Sequence, residues 1–342
     1  MSWVLGVDSG GSGLRIALGA VDEAADGPKD GSKDASADGD VGVRTVGTAV
    51  SAEPVRTGPS GIDPDHLLER LLPAVRTLLT REGVRSPVAV AIGAAGMATL
   101  GDGLRAELPA ALESALGVRR SALAADAVTA YAGALGQRPG AVVAAGTGMI
   151  ALGTDLAGWR RADGWGHLLG DCGGGAWIGR AGLEAAMRAY DGRHGGSAAL
   201  LSRTEAVFGP AREMPGVVYP RTDRPAVLAS FAPEVARCAA DDPVAARILD
   251  EAARHIVDAA VAACPRVEGC QVALTGGLFK IGDPLLRPVR AELAARLPHV
   301  RPVPAAGDPL TGALRIAAAL ATGSLRLPRD GRMLSVPTER DE

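Results

Sequence analysis

Two apolar strand patterns in this chain run straight into glycine-rich turns that carry a small hydroxyl residue. The first is Trp3-Val4-Leu5-Gly6-Val7-Asp8-Ser9-Gly10-Gly11-Ser12-Gly13, and the second is Ala141-Val142-Val143-Ala144-Ala145-Gly146-Thr147-Gly148. Glycine lets backbone amides close on an anion with no side chain between, so each turn can present several N–H donors to one phosphate. Two such turns predict a nucleotide held between two lobes, and phosphoryl transfer as the chemistry. Asp8, at a strand end, can hold Mg²⁺ through its waters while the amides of Gly10, Gly11 and Ser12 meet the β- and γ-phosphates. Asp-Ser-Gly is also ordinary turn chemistry, in which Asp8 caps its own turn. Arg15 can reach phosphate or pair on the surface.

Asp126 closes the short strand Ala122-Leu123-Ala124-Ala125 and opens a helix. That position suits a helix N-cap and a catalytic side chain equally well. Trp165 and His167 stand in the glycine-bracketed run 164–170, which disfavours a buried strand. Trp165 offers a flat apolar face for a sugar ring, or serves as a packed anchor. Gly276 and Gly277, after the strand Gln271–Leu274, leave bare backbone for adenine and ribose with Lys280 near by; a plain helix-entry turn has the same appearance.

The elements that must carry these residues alternate strand with helix, which makes the class α/β. Strands at 3–8 and 14–20 form a hairpin, and 41–50 and 88–93 are further strands. Helices are expected at 64–81, about 103–116, 127–135 and 178–190. Residues 198–263 read as mostly helical, with Pro233 and Pro243 at helix starts, and a last helix covers about 309–321. The acidic Gly/Ser-rich stretch 21–40 has almost nothing to bury and reads as a disordered insertion. The domain expectation is an N-terminal lobe over 1–122, a second lobe over 123–308, a returning helix over 309–323 and a flexible tail over 324–342.

With 342 residues, 47% of them hydrophobic, the chain can bury two cores. A net charge of −3 gives no footprint for nucleic acid. No apolar run suits a membrane span and no basic leader precedes Trp3, so a cytoplasmic protein is expected. Cys172, Cys238, Cys264 and Cys270 form no CxxC pair and fit reduced thiols.

Taken together, Asp8-x-Gly10-Gly11-Ser12-x-x-Arg15, Asp126, Ala145-Gly146-Thr147-Gly148, Gly164-Trp165-Gly166-His167-Leu168-Leu169-Gly170-Asp171, Thr275-Gly276-Gly277-Leu278-Phe279-Lys280 and Gly307-Asp308-Pro309-Leu310-Thr311-Gly312-Ala313 follow one another in a familiar order. The chain resembles the N-acetylglucosamine kinase branch of the BadF/BadG/BcrA/BcrD ATPase family, in the actin-like, hexokinase-like superfamily, from residue 3 to about 321. The resemblance implies duplicated actin-like (ribonuclease H-like) lobes with a nucleotide cleft between them, ATP and Mg²⁺, and transfer to the 6-hydroxyl of an amino sugar. It gives Asp126 the role of accepting the sugar proton. It places Thr147, Gly148, Trp165, Asp171 and the Ser60-Gly61 turn on the sugar side, and Gly146, Thr147, Gly276, Gly277 and Lys280 near the nucleotide. It also implies a homodimer.

The chain departs from that pattern at two points. Many relatives carry Asp-Glu-Gly-Ser where Asp171-Cys172-Gly173-Gly174 stands, and Asn where Gly61 follows Ser60. Lost polar groups alter discrimination strongly, so the acceptor stays open among N-acetylglucosamine, glucosamine and related sugars. The family's other branch, iron–sulfur activator ATPases, is poorly served by a single loop cysteine, Cys172. A non-enzymatic sugar regulator would need a DNA-binding appendage for which the N-terminal end has no room.

Overall fold

The computed structural model describes residues 2–10, 13–21, 42–51, 53 and 55–337. Gly11, Ser12 and, apart from Val21, the expected acidic insertion lie outside the described residues. The chain divides into two compact units: 1–140 with 154–159 and 304–342, and 141–153 with 160–303.

The first unit opens with β1 (Ser2–Gly10) and β2 (Gly13–Val21), an antiparallel hairpin closed by the Gly10–Gly13 pair. β3 (Val43–Ser51) extends it antiparallel to β2, and the short strands β4 (Thr57–Gly58) and β5 (Gly61–Ile62) bracket the Ser60 turn. α1 (Pro64–Arg81) starts where the Asp63 carboxylate accepts the His66 amide at 3.2 Å and Pro64 supplies a preset φ. Its stripe Leu67, Leu71, Val75, Leu78 and Leu79 is buried, roughly 2 kcal/mol for each side chain. His66 accepts the Arg56 amide at 2.9 Å through Nδ1, a structural contact.

β6 (Ala89–Ala94) lies parallel to β1; α2 (Met97–Leu100) and α3 (Asp102–Leu116) follow. β7 (Arg120–Ala125) is parallel to β6, and α4 (Asp126–Leu135) leaves its carboxyl end. Residues 123–140, which the sequence reading assigns to the second lobe, therefore fall in the first unit, because β7 is hydrogen-bonded into its sheet.

The second unit is built on β8 (Gly140–Ala145), β9 (Met149–Thr154) and β10 (Trp159–Asp163), with α5 (Gly175–Tyr190) after them. Helices α6 (Ala198–Phe208), α7 (Met214–Val218), α8 (Arg224–Ser230) and α9 (Ala232–Cys238) lead to α10 (Pro243–Ala263). Pro233 and Pro243 both sit at helix starts, and Asp242 caps α10 by accepting from the Val244 amide at 2.7 Å. β11 (Gln271–Thr275), α11 (Asp283–Arg296) and β12 (Arg301–Pro304) complete the unit. Phe231, Ile256, Leu285 and Val289 are fully buried at its core.

The chain then returns to the first unit with α12 (Pro309–Ala321) and β13 (Leu334–Ser335). α12 crosses α4 with almost no gap: a Cβ on Gly312 would lie 1.8 Å from the Thr129 carbonyl oxygen, and one on Gly133 2.1 Å from that of Asp308. Residues 324–337 correct the expectation of a flexible tail. Leu327, Met333 and Leu334 are buried, and β13 pairs antiparallel with β7 at the sheet edge.

The two sheets run β13-β7-β6-β1-β2-β3 and β10-β9-β8-β11-β12. Setting aside β13 and the β4/β5 pair, each has the order third, second, first, fourth, fifth. The repeated order makes the fold a duplicated α/β architecture.

Candidate functional site

In the first unit the candidate residues gather at the carboxyl ends of three neighbouring strands. Register pairs Asp8 of β1 with Gly93 of β6, and Gly93 with Ala124 of β7, two residues before Asp126. Two strand spacings separate the Asp8 and Asp126 positions, ~10 Å across the sheet. Ligands of open α/β sheets bind at this edge. Asp126 is exposed at the head of α4, where its Oδ1 accepts the Ala127 amide at 2.8 Å.

Asp8 is held by Arg15, whose Nε and Nη2 both reach Oδ2, at 3.0 and 2.5 Å. Arg15 also donates through Nη1 to Asp308 at 2.9 Å. Asp308 caps α12, accepting the Thr311 amide at 2.9 Å and the Thr311 hydroxyl at 2.8 Å. Burial alone would push the Asp308 carboxyl up, yet the Thr311 amide and hydroxyl and the Arg15 charge bring it below the usual range. Arg15 is thus an ion-pair bridge between two carboxylates. Asp8 and Asp308 are hard oxygen donors of the kind Mg²⁺ takes, both engaged here by Arg15.

Ser60 and Gly61 line a cavity of about 450 Å³ together with Arg56, Asp63, Gly103 and Glu107, a volume in the range of small-molecule sites. Gly61 has φ +93°, and a Cβ there would lie 2.3 Å from the Leu100 carbonyl oxygen. No side chain can be accommodated at residue 61 without moving α2.

In the second unit, the Gly146-Thr147-Gly148 turn sits against the start of α5. The carbonyls of Gly146 and Thr147 accept the Gly175 and Ala176 amides at 2.9 and 2.8 Å. A Cβ on Gly276, at φ +108°, would lie 2.2 Å from the Ala145 carbonyl oxygen, so the Gly276-Gly277 backbone runs directly beside this turn. Lys280 is exposed on the one-turn 3₁₀ segment that follows.

Asp171 reaches the same turn from the glycine-bracketed loop. A Cβ on Gly148 would meet its Oδ2 at 2.3 Å, and its Oδ1 accepts the Gly166 amide at 3.0 Å. Burial raises its pKa, as does the Asp163 charge, while the Gly166 and Met149 amides and His167 pull it down. Trp165 is 62% exposed and is not a core anchor. Its ring lies under the Arg161 guanidinium, 4.3 Å from centroid to Cζ. Beside it Leu168 and Leu169 are 82% and 84% exposed, which makes the loop tip apolar.

Sequence reasoning passed over Asp163, Arg161 and Asp308. The available signals were an Asp set directly before Gly164-Trp165, a position that tolerates positive φ, and the Asp-Pro-x-Thr cap pattern at 308–311. Cys264 caps the C-terminal end of α10 and Cys270 precedes β11, and their buried Sγ atoms are 2.9 Å apart. Burial pushes the Cys172 thiol above its ordinary pKa. No described helix is long and apolar enough to cross a membrane.

The BadF/BadG/BcrA/BcrD ATPase family model matches residues 5–317. The N-acetylmuramic acid/N-acetylglucosamine kinase of Clostridium acetobutylicum is 31% identical over 201 residues, covering 56% of this chain and 65% of that protein. A solved structure from Chromobacterium violaceum, provisionally named N-acetylglucosamine kinase, superposes with a TM-score of 0.68 at 26% identity, over 94% of this chain and 99% of that one. A ROK family glucokinase from Streptomyces griseus, solved with glucose and AMPPNP, shares the fold at a TM-score of 0.51 and 21% identity, over 92% and 98% of the two chains.

Proposed function

Because the chain belongs to the BadF/BadG/BcrA/BcrD ATPase family, we propose that it is an ATP-dependent amino-sugar kinase that phosphorylates the 6-hydroxyl of N-acetylglucosamine or a related sugar. The observation that carries this reading is the placement of Asp8 and Asp126 toward the carboxyl ends of two parallel strands, β1 and β7, that flank β6. One carboxylate suits a phosphate-bound cation and the other an attacking alcohol.

In this scheme Asp126 receives the proton of the sugar hydroxyl as its oxygen approaches the γ-phosphate. Asp8, with Asp308 beside it, would hold Mg²⁺, which when bound neutralises charge on the phosphates. Arg15 keeps those carboxylates paired until then. The Gly10 and Gly146-Thr147 backbones supply phosphate donors, together with Gly11 and Ser12, which lie outside the described residues. Gly276 and Gly277 leave room for adenine and ribose, and Lys280 lies near them. On the sugar, Asp171 accepts hydroxyl protons, Trp165 presents its face to the ring, and Ser60, Gly61, Thr147 and Gly148 form the remaining contacts. Phosphoryl transfer has a loose transition state, so positioning and charge contribute more to the rate than the base does. The protein would work in the cytoplasm as a homodimer.

The test is ADP release by the purified protein with ATP and Mg²⁺ across N-acetylglucosamine, N-acetylmuramic acid, glucosamine, glucose and related sugars. Turnover stimulated by one or more amino sugars, with a phosphosugar found by mass spectrometry, is expected. ATP hydrolysis that no sugar stimulates would overturn the assignment.

A further inference from the structure

We propose that Asp163 is a positioning residue that clamps the Asp171 loop in its sugar-accepting shape, an inference that rests on the kinase reading above. The Asp163 carboxylate spans two consecutive backbone amides: Oδ1 accepts from Asp171 at 2.6 Å and Oδ2 from Cys172 at 3.0 Å. Both ends of this bridge are strained. Asp163 has φ +58° and Asp171 φ +54°, the left-handed region, which disfavours a residue with a Cβ, though Asp less than most. Strain of this kind persists only where the surroundings over-determine it, and it clusters at ligand-binding sites.

Here the surroundings are visible. Arg161 donates through Nε to the Asp163 carbonyl at 3.0 Å and through Nη2 to the Gly164 carbonyl at 2.5 Å, while its guanidinium covers the Trp165 ring. A Cβ on Gly170 would strike Asp163 Oδ1 at 2.3 Å, so the loop folds tightly around this carboxylate. Arg161 thereby fixes the strand end at β10 and the Trp165 turn, and the Asp163 carboxylate fixes the backbone that aims Asp171 at Gly148. Cys172 itself brings no carboxylate to this position of the loop. Asp163 supplies one from the opposite end of the loop, turned onto backbone rather than onto substrate.

Asp163→Gly separates the clamp from the strain, since glycine adopts φ +58° freely yet has no carboxylate. We expect the sugar KM to rise about tenfold with the ATP KM within about twofold. Asp163→Asn keeps one acceptor and is expected to recover part of the loss. By NMR hydrogen exchange, the Asp171 and Cys172 amides should exchange at least ~10-fold faster in Asp163→Gly while α10 amides do not change. An unchanged sugar KM, an equal effect on both substrates, or unchanged exchange at residues 171 and 172 would each overturn the clamp. A wild-type protein that phosphorylates no sugar overturns the kinase reading instead, and the exchange arm then decides the clamp by itself.

Discussion

The two units share a strand order and divide the chemistry unequally. Where β1 of the first unit carries Asp8 two residues before its end, the corresponding strand of the second, β8, ends in Ala144-Ala145 and passes into Gly146. Where β7 delivers Asp126, its counterpart β12 stops at Pro304. The first unit therefore offers ionised side chains at its strand ends. The second offers backbone, kept bare by Gly148 and Gly276 and supplemented by the loop carboxylate of Asp171. A duplicated scaffold fixes where a reacting group can stand, and the residue at each strand end decides what that place does.

If that contrast is right, damage to the first unit should appear in kcat and damage to the second in substrate affinity. The largest effect is expected from Asp126→Asn, which should lower kcat for sugar phosphorylation by about 10²–10⁴-fold, with the ATP Kd by calorimetry nearly unchanged. Wild-type turnover in that variant would remove Asp126 from its role.

Gly312→Ala should destabilise the first unit by about 2–3 kcal/mol, roughly 5–10 °C in Tm, because its Cβ would drive α12 away from α4. Calorimetry that resolves two transitions should find only one of them shifted. Gly148→Ala should displace Asp171 and raise the sugar KM about tenfold while kcat changes little; a pure kcat loss would erase the contrast.

Acidification probes the Asp171 carboxylate itself. Its pKa is raised by burial and by Asp163, so the ionised acceptor is lost earlier in a descent of pH than for an ordinary aspartate. The kcat/KM for sugar should fall along that limb at saturating ATP. The stability sign is opposite: a carboxyl whose native pKa is raised favours the folded state in its protonated form, and that contribution disappears as pH rises through the native value. The smallest effect is expected from Asp308→Ala, about 1 kcal/mol through loss of the α12 cap. Its native pKa is lowered, so the cap contributes fully above the unfolded value of about 3.9 and fades as pH falls through the native one. Denaturant midpoints measured against pH check both signs.

Much of this architecture was legible in the residues. Asp63-Pro64 marks the start of α1, Gly10 to Gly13 marks the tip of the first hairpin, and Pro309 opens α12, since caps and turns are local chemistry. The C-terminal segment was not legible. Its Pro and Arg content reads as frayed, while its burial depends on the β7 edge about two hundred residues earlier. Asp163 escaped for a similar reason, because a carboxylate that bonds amides eight and nine residues onward leaves no periodic trace. Of the sugar-side candidates, Asp171 was named from motif order, and Trp165 also from its flat apolar face in a glycine-bracketed run. The link from Asp171 to Gly148 needed coordinates.

The pairing of β13 with β7 and the seating of α12 on α4 also set a schedule for synthesis. The first unit is discontinuous, and its sheet edge and covering helix come from residues 304–337. A chain still emerging from the ribosome has already made all of 141–303 before those pieces exist. The later unit in sequence can thus fold first, and the earlier one must wait, its apolar β6 and β7 open to chaperones until residues 304–337 have followed.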